Sequence, residues 1–369
     1  MRICGDGLFT EKCHELLEEV LGVRKVLLTT SCTHALEMAA LLLEVQESDE
    51  VIVPAFTFPS VVNAFVLRGA RPVFADICPK TLNINPALLA RHVTPRTKAI
   101  VVVHYAGVGC EMDEICEFAA FHGLTVIEDN AHGLFGKYRG RHLGTFGRFA
   151  TQSFHETKNF SCGEGGALLL NSAQDLERAE ILREKGTDRK QFYRGEIDKY
   201  TWVDVGSSFL PSDILAAILY AQLEARERIQ ASRRQVWERY FRELREWAAN
   251  NGVELPFVPG DCEQTFHIFY LLMPDSPSRL ALIEHLGRRN ILSVFHYVPL
   301  HLSRMGRRYG GYAGQCPVSE ATSDRLLRLP LYCDLSDDDQ TRVIEGVQDF
   351  AFTTPVRAGL WRARSTGRA

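Results

Sequence analysis

A chain of 369 residues, 46% hydrophobic and 24% charged, can bury a large core and exceeds the usual single-domain length, so two domains are expected. Its formal net charge of −4, with both signs mixed along the chain, leaves no electrostatic footprint for nucleic acid or an anionic membrane surface. No apolar run is long enough to cross a bilayer, the first residues lack a signal peptide's apolar stretch, and the ten cysteines form no Cys-x-x-Cys pair, so a cytoplasmic enzyme with reduced thiols is expected.

From Val26 to about Leu170, short β-branched runs alternate with helical patterns, which is the signature of an α/β domain with a mostly parallel sheet. The runs that read as buried strands are Val26–Leu28, Glu50–Val53, Pro72–Phe74, Ala99–Val103, Thr125–Ile127 and Ala167–Leu170, and His34–Leu43 carries apolar positions at helical spacing. Cys110 and Cys116 flank an acidic stretch, but no second half of a zinc ligand set accompanies them, so no metal is expected. Residues from about Ser212 to Asn250 read as a long helical stretch that is capped by Asp213 and links the domains. After Leu255-Pro256, a strand (His267–Leu271), a helix (Ser278–Arg289) and a second strand (Leu292–Phe295) predict a smaller α+β domain. The expected division is a large domain over 1–245 that includes the linking helix, a small C-terminal domain over 246–352, and a flexible, basic, acid-free tail over 353–369.

Three segments carry candidate chemistry. Lys158 sits in the polar run Ser153-Phe154-His155-Glu156-Thr157-Lys158-Asn159, after a strand-like run and before Gly163-Glu164-Gly165-Gly166, where backbone can approach closely. Taken alone, it reads more readily as a surface lysine than as a reactive one. Asp129 ends the apolar run Thr125-Val126-Ile127, at the carboxyl end of a strand where open α/β sheets place ligands. It reads either as a capping or solvated acid or as the partner of a protonated pyridine nitrogen, as in pyridoxal phosphate. Thr29-Thr30-Ser31-Cys32-Thr33 opens the helix near His34, so free backbone donors and the positive helix end converge there, as a cap or as a phosphate site. The chain has neither the Gly-x-x-x-x-Gly-Lys of a nucleoside-triphosphate loop nor a Gly-x-Gly-x-x-Gly after an early strand, which weakens nucleoside triphosphatase and nicotinamide readings.

Those segments, with Pro54-Ala55-Phe56-Thr57-Phe58, Glu128-Asp129-Asn130-Ala131-His132, Gly144-Thr145-Phe146-Gly147 and Phe295-His296-Tyr297-Val298-Pro299-Leu300-His301, resemble the DegT/DnrJ/EryC1/StrS sugar aminotransferases over essentially the whole chain. The resemblance implies a fold type I pyridoxal-phosphate transferase: a large domain with a mostly parallel mixed sheet between helices, plus a small α+β domain. It implies that Lys158 carries the cofactor as a Schiff base, that Asp129 holds the pyridine nitrogen, and that His132 lies near the ring or its phenolic oxygen, where many relatives have glutamine. Phe58 would stack on the ring, and the backbone of Cys32 and Thr33 with the Ser153 hydroxyl would bind the phosphate. Ser208 stands near where many relatives have an asparagine that reaches the neighbouring subunit's phosphate, and relatives complete the site across a homodimer interface.

Within the family, Ser153–Asn159, Val103–Val108 with Cys110–Asp113, and Asp198–Trp202 are similar to members that move an amino group from L-glutamate to C4 of dTDP-4-keto-6-deoxy-D-glucose, in enterobacterial common antigen synthesis. Lys185 and Arg189, in a basic segment reaching Lys199, would meet a nucleotide diphosphate or stand in a solvated loop. His296, Tyr297 and His301 lie where relatives fold the small domain over the site, with a core role equally open. His132, unlike glutamine, can titrate. Amination at C3, or of a UDP sugar, is a milder alternative. A related sugar dehydratase would have histidine in place of Lys158, and a non-catalytic sugar-nucleotide-binding protein would have lost Lys158 or Asp129.

Overall fold

A computed structural model describes residues 3–352, and the expected tail over 353–369 lies outside them. Seven strands, β1 (Lys25–Thr29), β2 (Glu50–Pro54), β3 (Arg71–Ala75), β4 (Thr97–Val103), β5 (Thr125–Asp129), β6 (Phe149–Ser153) and β7 (Gly166–Leu170), form one sheet in the order β1-β7-β6-β5-β4-β2-β3. All neighbours from β3 to β6 pair in parallel, and β7 runs antiparallel to both β1 and β6. Each of the six strand-like runs falls on one of these strands. The runs are continuously apolar because helices cover both faces of the sheet. Val51, Val53 and Val101 pack on the layer holding the helix Cys32–Leu42, while Ile52, Ile100 and Val102 pack on the opposite side with the helix Met112–His122.

The stretch from Ser212 to Asn250 is two helices, Asp213–Glu224 and Arg226–Asn250, and its cap differs from expectation. Ser212 is the N-cap, its hydroxyl accepting from the Leu215 N–H at 3.4 Å. Asp213 instead caps the first helix of the chain, Leu8–Leu21, whose own N-cap is Gly7 and has no side chain to offer. The Asp213 carboxylate accepts from the N–H groups of Phe9 (3.3 Å) and Thr10 (2.8 Å) and from the Thr10 hydroxyl (2.9 Å). Gly7 is required there, because a Cβ would stand 2.5 Å from the Asp213 carboxyl. Beside this junction, Asp6 forms a buried ion pair with Arg183 and a second with Lys190 at 2.6 Å. Burial works to raise the Asp6 pKa, but the two cations outweigh it and bring it down to about 2.

In the smaller unit, Phe269–Leu272, Val294–Phe295 and Leu326–Leu329 form an antiparallel sheet with Leu326–Leu329 at its centre. Val236, Trp237, Tyr240 and Leu244 of the helix Arg226–Asn250 pack against Phe269, Leu271, Leu327 and Leu329 in one core. The helix from Val236 onward therefore serves the small-domain core.

Replacing Asp213 with Ala should remove about 1–2 kcal/mol of stability by leaving the first-turn amides of Leu8–Leu21 without an acceptor. The urea midpoint is expected to fall, with Asp213→Asn falling less; an unchanged midpoint in the alanine variant would contradict the capping role.

Candidate active site

The carboxyl ends of β1, β4, β5 and β6 open into a cavity of about 1010 Å³ that the small-domain sheet closes from the other side. At one end lies the start of the Cys32–Leu42 helix. Ser31 caps it, its hydroxyl accepting from the His34 N–H at 3.1 Å, while the N–H groups of Cys32 and Thr33 are out of reach of any helical carbonyl. Gly166 at the start of β7 makes this arrangement possible, since a Cβ would stand 2.3 to 2.5 Å from the Ser31 and Cys32 backbone. Ser153, the last residue of β6, lines the same end.

Asp129 lies at the tip of β5 and is buried. Its Oδ1 accepts from the Ala131 N–H at 3.0 Å, and its other oxygen has no hydrogen-bond partner among the described residues. Burial raises its pKa, against the Ala131 N–H and the Lys158 charge. The preceding residue, Glu128, points the opposite way and is held by four donors. The N–H groups of Gly144, Phe146 and Gly147 each donate at 2.7 Å, and His104 Nε2 lies at 2.9 Å. Because His104 Nδ1 accepts from the Cys110 N–H at 3.1 Å, the ring proton sits on Nε2 and donates to Glu128. Gly144-Thr145-Phe146-Gly147 thus folds around the Glu128 carboxylate.

Lys158 sits on the loop between β6 and β7, where its N–H donates to the His155 carbonyl at 2.9 Å and its side chain enters the cavity. Burial lowers its pKa, opposed by Asp129 and Cys32 and assisted by Arg328. The next residue, Asn159, anchors the loop across the molecule: its amide N–H donates to the Thr265 carbonyl at 2.7 Å, and its Oδ1 accepts from His267 Nδ1 at 2.8 Å. His132 packs on His267, with ring centroids 4.2 Å apart. The Ala106 N–H donates to His132 Nδ1 at 3.3 Å, so the neutral ring carries its proton on Nε2. Burial, then the charge of Lys158, hold His132 well below the usual imidazole pKa. The titration open to a histidine at this position is therefore suppressed.

Phe58, His296 and Tyr297 also line the cavity, with the Phe58 and Tyr297 rings 6.3 Å apart and the Tyr105 hydroxyl 2.9 Å from His296 Nδ1. His301 is elsewhere, buried against Glu320 at 2.9 Å. Three of the expected residues, Ser208, Lys185 and Arg189, lie outside this chain's own cavity. Ser208 bridges to Glu184, and Lys185 and Arg189 both pair with the Glu184 carboxylate. The residues that sequence reasoning missed are His104, Asn159, His267 and Arg328. Asn159 follows Lys158 directly and could have been singled out on that ground. The others carry no local signal.

The cavity therefore brings together helix-start N–H groups suited to a phosphate, a lysine, and a buried carboxylate with one free oxygen. These features fit pyridoxal phosphate: Cys32, Thr33 and Ser153 would hold its phosphate and Asp129 its ring nitrogen. Residues 3–348 match the model of the DegT/DnrJ/EryC1/StrS aminotransferase family. The spore coat polysaccharide biosynthesis protein SpsC of Bacillus subtilis is 33% identical over 337 residues, 89% of this chain and 86% of that protein. The aminotransferase TlmJ of Streptoalloteichus hindustanus superposes with a TM-score of 0.85 at 32% identity, over 94% of this chain and 91% of the other. A Streptococcus pneumoniae protein, 25% identical over 94% of this chain and 92% of its own, matches with a TM-score of 0.85 in its pyridoxal-phosphate form. This chain belongs to the DegT/DnrJ/EryC1/StrS aminotransferase family, whose members depend on pyridoxal phosphate.

Proposed function

We propose that the chain moves an amino group from L-glutamate to a nucleotide-linked keto sugar, with C4 of dTDP-4-keto-6-deoxy-D-glucose as the site of amination. The observation that carries the reading is one cavity lined together by Lys158, Asp129 and the Cys32–Thr33 helix start. A sugar acceptor is supported by SpsC, whose name places it in polysaccharide synthesis, and the acceptor's identity by the likeness of Ser153–Asn159 and Asp198–Trp202 to the C4-aminating members. We also propose a homodimer in which Ser208, Lys185 and Arg189 face the partner's cavity. Trp202, Val203 and Val205, exposed beside them, support an interface there.

Pyridoxal phosphate, when bound, supplies an electron sink for the bonds around the donor's α-carbon. Asp129 would hold the ring nitrogen and favour its protonated form. The Cys32 and Thr33 N–H groups and the Ser153 hydroxyl would hold the phosphate. His132, neutral with its proton on Nε2, would donate a hydrogen bond to an oxygen of the bound group. Phe58 and Tyr297 offer aromatic faces that exclude water. Lys158 Nζ, its pKa lowered by burial, would take the proton from the donor's α-carbon and deliver it to the carbon that retains the amino nitrogen, ending as the free amine.

The wild-type protein with pyridoxal phosphate should absorb in the visible. Lys158→Ala should lose the borohydride-trapped adduct and at least about 10³-fold in turnover; a wild-type protein that takes up no cofactor would sink the reading. Incubation with glutamate and a panel of dTDP- and UDP-keto sugars, with products identified by mass and NMR, should give a C4 amine on the dTDP sugar. An amine at C3, or activity on UDP sugars alone, would defeat that acceptor while sparing the enzyme class.

His132, His267 and His296 all have pKa values driven down by burial, His296 to about 2. In the unfolded chain they protonate near pH 6.5, so the unfolded state binds more protons and stability falls as pH drops below that value. Each should cost about 1 kcal/mol between pH 6.5 and 5.5. Urea titrations of the cofactor-free protein should show this slope, reduced in His132→Gln; an unreduced slope would show that His132 is not held neutral.

A further inference from the structure

One charged group in the cavity wall is used by neither the cofactor cradle nor the lysine loop. Arg328 lies in the central strand Leu326–Leu329 of the small-domain sheet, paired through its backbone with Tyr270 on one side and Val294 on the other. Its neighbours Leu327 and Leu329 enter the small-domain core, so strand alternation turns Arg328 to the opposite face, where it lines the cavity. There its Nε is buried without a hydrogen-bond partner, and no carboxylate among the described residues pairs with its guanidinium. The other arginine of that wall, Arg342, is satisfied by Asp339 at 3.0 Å. The positive charge of Arg328 is felt at Lys158, His132, His267 and His296, none of which can neutralise it. A guanidinium on the cavity wall whose Nε is buried without a partner, and which no carboxylate among the described residues faces, is costly to maintain, so its partner is expected to arrive with a ligand.

We propose that Arg328 binds the α-carboxylate of the amino donor, fixing the donor so that its α-hydrogen faces Lys158 Nζ. The proposal rests on the donor being an amino acid, as in the function proposed above. The chemistry of the donor selects the α-carboxylate: the incoming nitrogen takes the place of Lys158 Nζ, and the α-carboxylate lies only two bonds from that nitrogen. A cation in the same cavity, with its field reaching Lys158, is positioned for that group. The diphosphate of a sugar nucleotide is less suitable, because it is attached to C1, across the pyranose ring from a keto group at C4. A guanidinium also matches a carboxylate in geometry, offering two parallel N–H donors where a lysine would offer a point charge.

The test uses the holoenzyme and separates the two halves of the reaction. Wild type, Arg328→Gln and Arg328→Lys are mixed with L-glutamate alone, and the loss of the visible band is followed against glutamate concentration. The glutamine variant should need roughly 10- to 100-fold more glutamate to half-saturate, with the lysine variant between. The cofactor band before mixing reports that each variant is folded and loaded. 4-Aminobutanoate, which keeps the amine and the distal carboxylate but lacks the α-carboxylate, supplies a readout that a merely structural role would not move: the preference for glutamate over it should shrink in Arg328→Gln by a similar factor. The amino form of each protein is then mixed with the keto sugar, whose half-saturation should change by less than about 3-fold. Unchanged glutamate saturation and an unchanged donor preference would overturn the proposal. A defect confined to the keto-sugar half would overturn it as well and point to the diphosphate as the bound anion. If wild type carries the cofactor but no amino acid bleaches its band, the proposed function and the Arg328 assignment fall together; if only the variant comparison fails, the function stands.

Discussion

The active site depends on a carboxylate that takes no part in its chemistry. Glu128, fully buried, accepts three backbone N–H groups and the His104 imidazole. An isolated charge in that position would be strongly destabilising, and its tolerance there comes from the complete set of donors around it. The same bonds tie the end of β5 to the Gly144–Gly147 turn, which leads directly into β6 and so to Ser153 and Lys158. Because successive strand residues face opposite sides, burying Glu128 on one side delivers Asp129 to the cavity on the other. Removing the inner carboxylate would disturb the register of both the acid and the lysine.

A second constraint is the joining of the two domains behind Lys158. Asn159 binds the Thr265 carbonyl and the His267 ring, and Thr265 in turn donates to the His132 carbonyl at 2.5 Å. The lysine loop, the residues after Asp129 and the entry to the small domain are therefore one hydrogen-bonded unit. Gly107 permits this closeness, since a Cβ there would collide with the Thr265 hydroxyl. The histidines gathered at the junction are held uncharged by burial, so the positive charge within reach of Lys158 comes from Arg328 and from the lysine itself. A cavity with that balance suits a phosphorylated, anionic cofactor.

Much of this was legible in the chain. The six strand-like runs were visible because a sheet covered on both faces demands continuous apolar segments, and the phosphate-ready helix start was visible because Ser31 must cap a helix that follows a strand. Asp129 stood out as an acid at a strand end, but strand position left its role open and favoured a surface reading of Lys158; the resemblance to the aminotransferase family is what singled both out. The small-domain strand Leu326–Leu329 gave no such signal. Its Leu-Leu-Arg-Leu sequence lacks β-branched residues, and its central place in the sheet comes from pairing with Phe269–Leu272 and Val294–Phe295.

Local sequence thus determined the elements and the identity of the residues at their ends, because hydrophobic period and helix capping act over a few positions. Tertiary structure alone decided how distant groups meet. Asp213 caps a helix 203 residues away because Gly7 offers no side chain. Glu184 holds Lys185 and Arg189 and bridges to Ser208, so these three residues lie outside this chain's own cavity. Arg328 reaches the cavity through the alternation of a strand whose other face is held by the small-domain core. Such contacts carry no period along the chain, so they become visible only once the chain is folded.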